Sequence, residues 1–219
     1  MKKTWIQIYD EFAHNLENPV SKSGYTSDNV PTKIEIFDLW AGHIQEHLKL
    51  CSTDKLIDVG CGSGLFLERF SKYTSQLFGV DPSEKVLESA IELCPGAIVK
   101  KGTVHDFEFE GIKFDKLLSN SVFLLLDSLE EAENALNHFC EVTTPNGWVY
   151  IGDIPMIIEG LDENKRRRTK SLNMEVQHFP VDFFDAYCTK HNYKGQYIKQ
   201  IVPGKESTEY RYDYLIIKK

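Results

Sequence analysis

Apolar and polar positions alternate along this chain in two rhythms. Short apolar runs at 55–59, 76–80, 97–101, 114–119 and 148–153 are separated by longer stretches with apolar residues at helical spacing. The runs predict strands, and the stretches predict helices over 32–50, about 64–73, 83–94, about 128–142 and about 181–191. Thr32 is the expected N-cap of the first, which carries Phe37, Trp40, Ala41, Ile44 and Leu48 on one face. Strand and helix in regular alternation predict an α/β fold with a parallel sheet covered on both faces. At the end of the chain, 193–202 and 208–218 read as two strands joined through Pro203-Gly204.

The pattern is interrupted most sharply at Leu56-Ile57-Asp58-Val59-Gly60-Cys61-Gly62-Ser63-Gly64-Leu65-Phe66. This is a buried strand, a tight turn and a helix start, with three glycines at alternate positions where the main chain can take positive φ and be closely approached. The dinucleotide fingerprint needs a third glycine where Leu65 or Leu67 stands, so an NAD-dependent reductase fits poorly. A phosphate-binding P-loop needs a Lys-Ser/Thr pair after the glycines, and none follows. The next apolar run ends in Asp81, followed by Pro82 and a helix. A carboxylate at the tip of the neighbouring strand can accept both hydroxyls of a ribose.

Three blocks in this order, LIDVGCGSG (56–64), GVDPS (79–83) and FDKLLSNSVF (114–123), resemble the class I S-adenosylmethionine-dependent methyltransferases over roughly residues 33–155. The resemblance implies a doubly wound three-layer sandwich with a seven-stranded, mostly parallel sheet whose last strand is antiparallel, plus an N-terminal helical cap. Residues 1–32 would form the cap over the cofactor, and 33–219 a Rossmann-like domain with an insertion at about 156–179. S-adenosylmethionine is the implied cofactor and S-adenosylhomocysteine the product. The cofactor would lie against Asp58, Gly60, Cys61, Gly62, Gly64, Asp81, Pro82, Thr103 and Val104. Ser119 and Asn120 would receive its methionine part, Phe123 would line the pocket, and Tyr9 and Tyr25 would approach from the cap. The chain departs from the family after Gly102, where Thr103 replaces the usual acid that meets the adenine; Asp106 or backbone groups are the substitutes at hand.

Composition narrows the acceptor. The 219 residues are 42% hydrophobic and carry a net charge of -8, a field that repels nucleic acid and anionic membrane and favours a small-molecule substrate. The five cysteines form no C-x-x-C pair and suggest neither a disulfide framework nor a zinc site. No apolar run approaches the ~20 residues of a membrane span, so a cytoplasmic protein, monomer or homodimer, is expected. The histidines are read as dispersed, and no metal is expected.

Methyl transfer from a sulfonium needs in-line placement more than covalent help. For a hydroxyl acceptor a general base is useful, and the candidates at the sheet's open edge are His178, Asp153 and His105, in that order. Lys165, Arg166, Arg167, Arg168 and Lys170 could hold an anionic group such as a sugar-nucleotide diphosphate. The closing block, with Gln200 through Pro203 and Tyr210 to Asp213, resembles methyltransferases of surface-polysaccharide or sugar-nucleotide metabolism. A non-catalytic S-adenosylmethionine-binding protein is the alternative from another class.

Overall fold

The computed structural model describes residue 7 and residues 18–27, 30–156 and 177–219. Tyr9, the first 17 residues of the expected cap apart from Gln7, and the basic run 165–170 lie outside these.

The described chain runs α1 (Pro19–Lys22), β1 (Thr26–Ser27), β2 (Val30–Pro31), α2 (Ile34–Leu48), β3 (Lys55–Val59), α3 (Leu65–Phe70), β4 (Gln76–Asp81), α4 (Glu84–Leu93), β5 (Ile98–Lys101), β6 (Phe114–Asn120), α5 (Leu129–Val142), β7 (Thr143–Pro155), α6 (Val181–His191), β8 (Lys194–Lys199) and β9 (Arg211–Ile217). Seven strands form one sheet in the order β5-β4-β3-β6-β7-β9-β8. Strands β3 to β7 pair parallel, while β9 runs antiparallel to both β7 and β8. This is the doubly wound sandwich with one reversed strand that the resemblance implies.

Period-two alternation sends neighbouring residues to opposite faces of the sheet. Ile57, Leu117, Val149 and Ile216 join Leu136 and Phe139 of α5 and Phe184 of α6 in one cluster. Their neighbours Leu56, Leu118, Tyr150 and Leu215 join Phe37, Trp40 and Ile44 of α2 and Phe66 and Phe70 of α3 in the other. Both faces are therefore dry, and the sheet's free surface is its edges and strand ends.

Helix starts follow local chemistry. Ser83 and Ser128 accept from the backbone N–H groups of Val86 and Glu131 and cap α4 and α5. The Thr32 cap does not form: α2 begins after Lys33, without a side-chain cap bond, and Thr32 instead donates its N–H to the Tyr25 carbonyl. Pro145-Asn146-Gly147 lie in an irregularity within β7, where pairing with β6 jumps from Phe114↔Thr143 to Lys116↔Trp148, and Asn146 takes φ 62°.

After β3 the chain moves outward to β4 and β5, then returns to the other side of β3 as β6. The crevice beyond the carboxyl ends of β3 and β6 is the topological switch point, where ligands enter open α/β sheets.

Candidate functional site

At that crevice the loop after β3 is fixed by its own backbone. The N–H groups of Gly60 and Cys61 both donate to the Val80 carbonyl, at 2.7 and 3.0 Å, which locks the loop to the tip of β4. Gly60, Gly62 and Gly64 all have positive φ, at 82°, 54° and 80°. The space each missing side chain leaves is filled by protein. A Cβ on Gly60 would overlap Val122, one on Gly62 would lie 2.6 Å from the Ser23 hydroxyl, and one on Gly64 would lie 3.1 Å from Ala90. In each case the missing side chain serves close packing of the chain on itself.

The cap is joined to this loop by a chain of hydroxyls. Ser63 Oγ donates to the Pro19 carbonyl at 2.7 Å, and Ser23 Oγ bonds Ser63 Oγ at 2.7 Å while accepting the Ser63 N–H at 2.9 Å. Lys22 reaches Ser89 on α4, and Tyr25 packs edge-on against Phe37 and Trp40 of α2. The Tyr25 hydroxyl accepts from Asn120 Nδ2 at 3.3 Å, so cap and β6 meet above the crevice.

Two carboxyls flank the loop. Asp81 ends β4, and its oxygens accept the N–H of Gly62 at 3.0 Å and of Ser83 at 2.9 Å. Asp58, in β3, is buried, and its Oδ2 has no hydrogen-bond partner. Burial, reinforced by the charge of Asp81, pushes the Asp58 carboxyl up to about 8. An unpartnered buried acid beside a fixed carboxylate is a poor arrangement by itself and a good one for a ligand that brings a cation and hydroxyls. S-adenosylmethionine, with its ammonium, sulfonium and ribose diol, has that chemistry, and the residues present fit it.

Other expected contacts are distributed unevenly. Thr103 and Asp106 exchange backbone hydrogen bonds at 3.2 Å, and Gly102 N–H donates to the Asp81 carbonyl, so this small loop sits beside Asp81 with Val104 and Pro82 half-buried. Cys61 turns its buried thiol toward the sheet at Gly79, and burial holds it protonated. Ser119 spends its hydroxyl on the Val59 carbonyl at 3.1 Å. Phe123 does not line an open pocket: it is 1% exposed and packed against Phe139, Phe179 and Phe184.

The three base candidates separate clearly. His105 is engaged with Glu131 at 3.1 Å. Asp153 is buried, and although burial works to raise its pKa, Lys205 and Arg211 outweigh that and hold it below the usual carboxylate value. Its carboxylate accepts from Lys205 at 2.6 Å and Ser121 at 2.8 Å, which makes it a structural anion and a weak base. His178 is exposed. It lies between Gln177, whose N–H reaches the Leu124 carbonyl beyond β6, and Phe179, whose N–H reaches Pro155 at the end of β7.

Sequence reasoning missed the network behind this edge. Asp213 accepts from Tyr150 at 2.7 Å, the Asp153 N–H at 2.7 Å and Gln200 at 2.9 Å, and bonds His43 at 3.0 Å. Ser121 and Asp153, bonded to each other, both hold positive φ, at 59° and 60°, a strain that such a network can hold in place. One signal was present: an aspartate inside the apolar run Tyr212 to Ile217. The histidines are also less dispersed than expected, since His43 and His47 stand four apart on α2.

Residues 57–151 match the family model described as a methyltransferase domain. The chain carries an S-adenosylmethionine-dependent methyltransferase domain. S-adenosylmethionine is its methyl donor. An uncharacterized methyltransferase of Oceanobacillus iheyensis is 24% identical over 188 residues, spanning 83% of this chain and 84% of that one. The dTDP-3-amino-3,4,6-trideoxy-alpha-D-glucopyranose N,N-dimethyltransferase of Streptomyces venezuelae is 35% identical over 97 residues, covering 44% of this chain and 40% of its own length. Among solved structures, CalS10, an amino pentose methyltransferase of Micromonospora echinaspora with S-adenosylmethionine bound, superposes with TM-score 0.63 at 17% identity over 94% of this chain and 99% of its own. No helix among the described residues of the methyltransferase is long and apolar enough to cross a membrane.

Proposed function

We propose that this methyltransferase acts on a small molecule, with a sugar or sugar nucleotide as the acceptor class and its hydroxyl or amino group as the acceptor atom. The observation that carries the donor half is the pairing of Asp81, pinned by two backbone N–H groups, with the unpartnered Asp58. The acceptor half is supported by the 35% identity to a dTDP-amino-sugar N,N-dimethyltransferase and by the acidic net charge of -8, which disfavours nucleic acid.

Bound S-adenosylmethionine supplies an electrophilic methyl group and leaves as the neutral thioether. Asp81 would take the ribose hydroxyls. Asp58 would give up its proton and meet the ligand's positive charge. The Gly102–Asp106 loop beside Asp81 would border the adenine, and Asn120 with Tyr25 would close over the methionine end. His178, at the edge between the ends of β6 and β7, would accept the proton that the acceptor loses. The described part of the expected cap, 18–27 and 30–32, would close the donor site.

The test is incubation of the full chain with methyl-labelled S-adenosylmethionine and a panel of dTDP- and UDP-linked sugars and amino sugars, read by mass spectrometry. A mass gain of one or two methyl groups on a sugar nucleotide supports the reading. Turnover on an unrelated acceptor, with none on the panel, overturns the acceptor class and leaves the donor assignment intact.

A further inference from the structure

At its second half α2 carries His43, Glu46 and His47, spaced so that all three side chains leave the helix on adjacent turns. One ligand atom from each lies within 4.8 Å of the other two. A tetrahedral zinc ion with nitrogen ligands about 2.0 Å away needs its donors about 3.3 Å apart, a gap that rotation of exposed Glu46 and half-buried His47 can close. We propose that His43, Glu46 and His47 bind a divalent transition-metal ion of the zinc type, at a site separate from the methyl-transfer crevice.

Three further observations point the same way. Behind His43 stands the buried carboxylate of Asp213, 3.0 Å from Nε2. A carboxylate on the far side of an imidazole fixes its tautomer and raises the basicity of the other nitrogen, the arrangement found behind metal-bound histidines. With Nε2 engaged, Nδ1 is the atom left for the ion. Next, Glu46 and His47 border a surface cleft of about 360 Å³ together with Trp148, Gln196 and Lys49, which leaves room for water on the open coordination positions. Finally, the ligand types, two imidazoles and one carboxylate, suit zinc better than magnesium or calcium, which prefer oxygen alone. Lys49 brings a like charge to the cleft, and the Glu46 carboxylate offsets it.

The cleft is formed where β7 resumes at Trp148, β9 closes at Ile217 and β8 opens at Lys194. That is the end of the sheet opposite the glycine loop. An ion there would not meet the methyl group, but it would reach the crevice's support: Asp213, which backs His43, also accepts the Asp153 N–H. The chemistry therefore suits a structural ion that braces the network under the acceptor side.

The test uses the tag-free, chelator-stripped full chain in a Cys51→Ser background, so that the exposed thiol contributes nothing. Zinc chloride is titrated against a competing chromogenic chelator, and cobalt replaces zinc for a visible spectrum. The expected result is one ion per chain at micromolar affinity, weakened about tenfold or more by His47→Ala and more mildly by Glu46→Gln. Cobalt absorption should be lost in His47→Ala, with the far-ultraviolet circular dichroism unchanged. Affinity equal in wild type and His47→Ala, or binding only at millimolar zinc, overturns the site. A His47→Ala chain that fails to fold is replaced by His47→Gln, read by the same two criteria.

Discussion

Asp58 shows how one buried side chain can link folding, pH and ligand. Its carboxyl titrates near 3.8 in an unfolded chain and is raised to about 8 in the fold, first by burial and then by Asp81. Between these values the folded chain keeps a proton that the unfolded chain has lost, so this group makes stability fall as pH rises through that window. Asp58→Asn should flatten the slope, which urea midpoints measured at about pH 5 and about pH 7.5 would report. A cationic ligand favours the ionised carboxyl. Affinity for S-adenosylmethionine should therefore increase with pH across the same window with release of a proton, seen as buffer-dependent heat in calorimetry, and Asp58→Asn should abolish that dependence. His178 belongs to the same scale. His178→Gln should lower turnover on a hydroxyl acceptor about a hundredfold while leaving affinity for S-adenosylhomocysteine unchanged; equal turnover would remove it as the base.

At the scale of elements, the order of strands and helices was legible because each core element carries its own apolar period and the central strands β3, β4 and β6 are buried on both faces. Ends were harder. Thr32 has the right chemistry for a cap, yet its N–H is drawn to Tyr25 by the antiparallel pair 26–31, a contact no local pattern announces. The cap's hold on the glycine loop was equally hidden, because it consists of two serines 40 positions apart, Ser23 and Ser63. Ser63→Ala removes the hydroxyl bridging Pro19 and Ser23. Amide exchange at residues 20–25 should accelerate, while global stability falls by only about 1 kcal/mol. Unchanged exchange there would mean that the cap is held by Tyr25 and Lys22 alone.

For the molecule as a whole, the residues that hold the site are split between its two ends in sequence. The donor side was readable in the first half, since glycines, Asp58 and Asp81 are spaced by one strand-helix-strand unit. The support for the acceptor side was not, because it is assembled from His43, Ser121, Tyr150, Asp153, Gln200, Lys205 and Asp213, brought together only by β9 lying between β7 and β8. Asp213 is the centre of that assembly, with no solvent exposure and bonds from four groups. Asp213→Ala leaves those donors buried and unmatched, and should cost about 3 kcal/mol or more in urea unfolding. A loss within a few tenths of that seen for exposed Asp182→Ala would contradict a supporting role for the network.

The donor site can be tested more directly than any of these. Calorimetric titration of S-adenosylhomocysteine into the wild-type chain and into Asp81→Ala measures whether the fixed carboxylate at the end of β4 holds the nucleoside. One site per chain is expected in the wild type, with a loss of at least ~1.5 kcal/mol, about tenfold in affinity, in the variant. Equal affinity in the two proteins would contradict it.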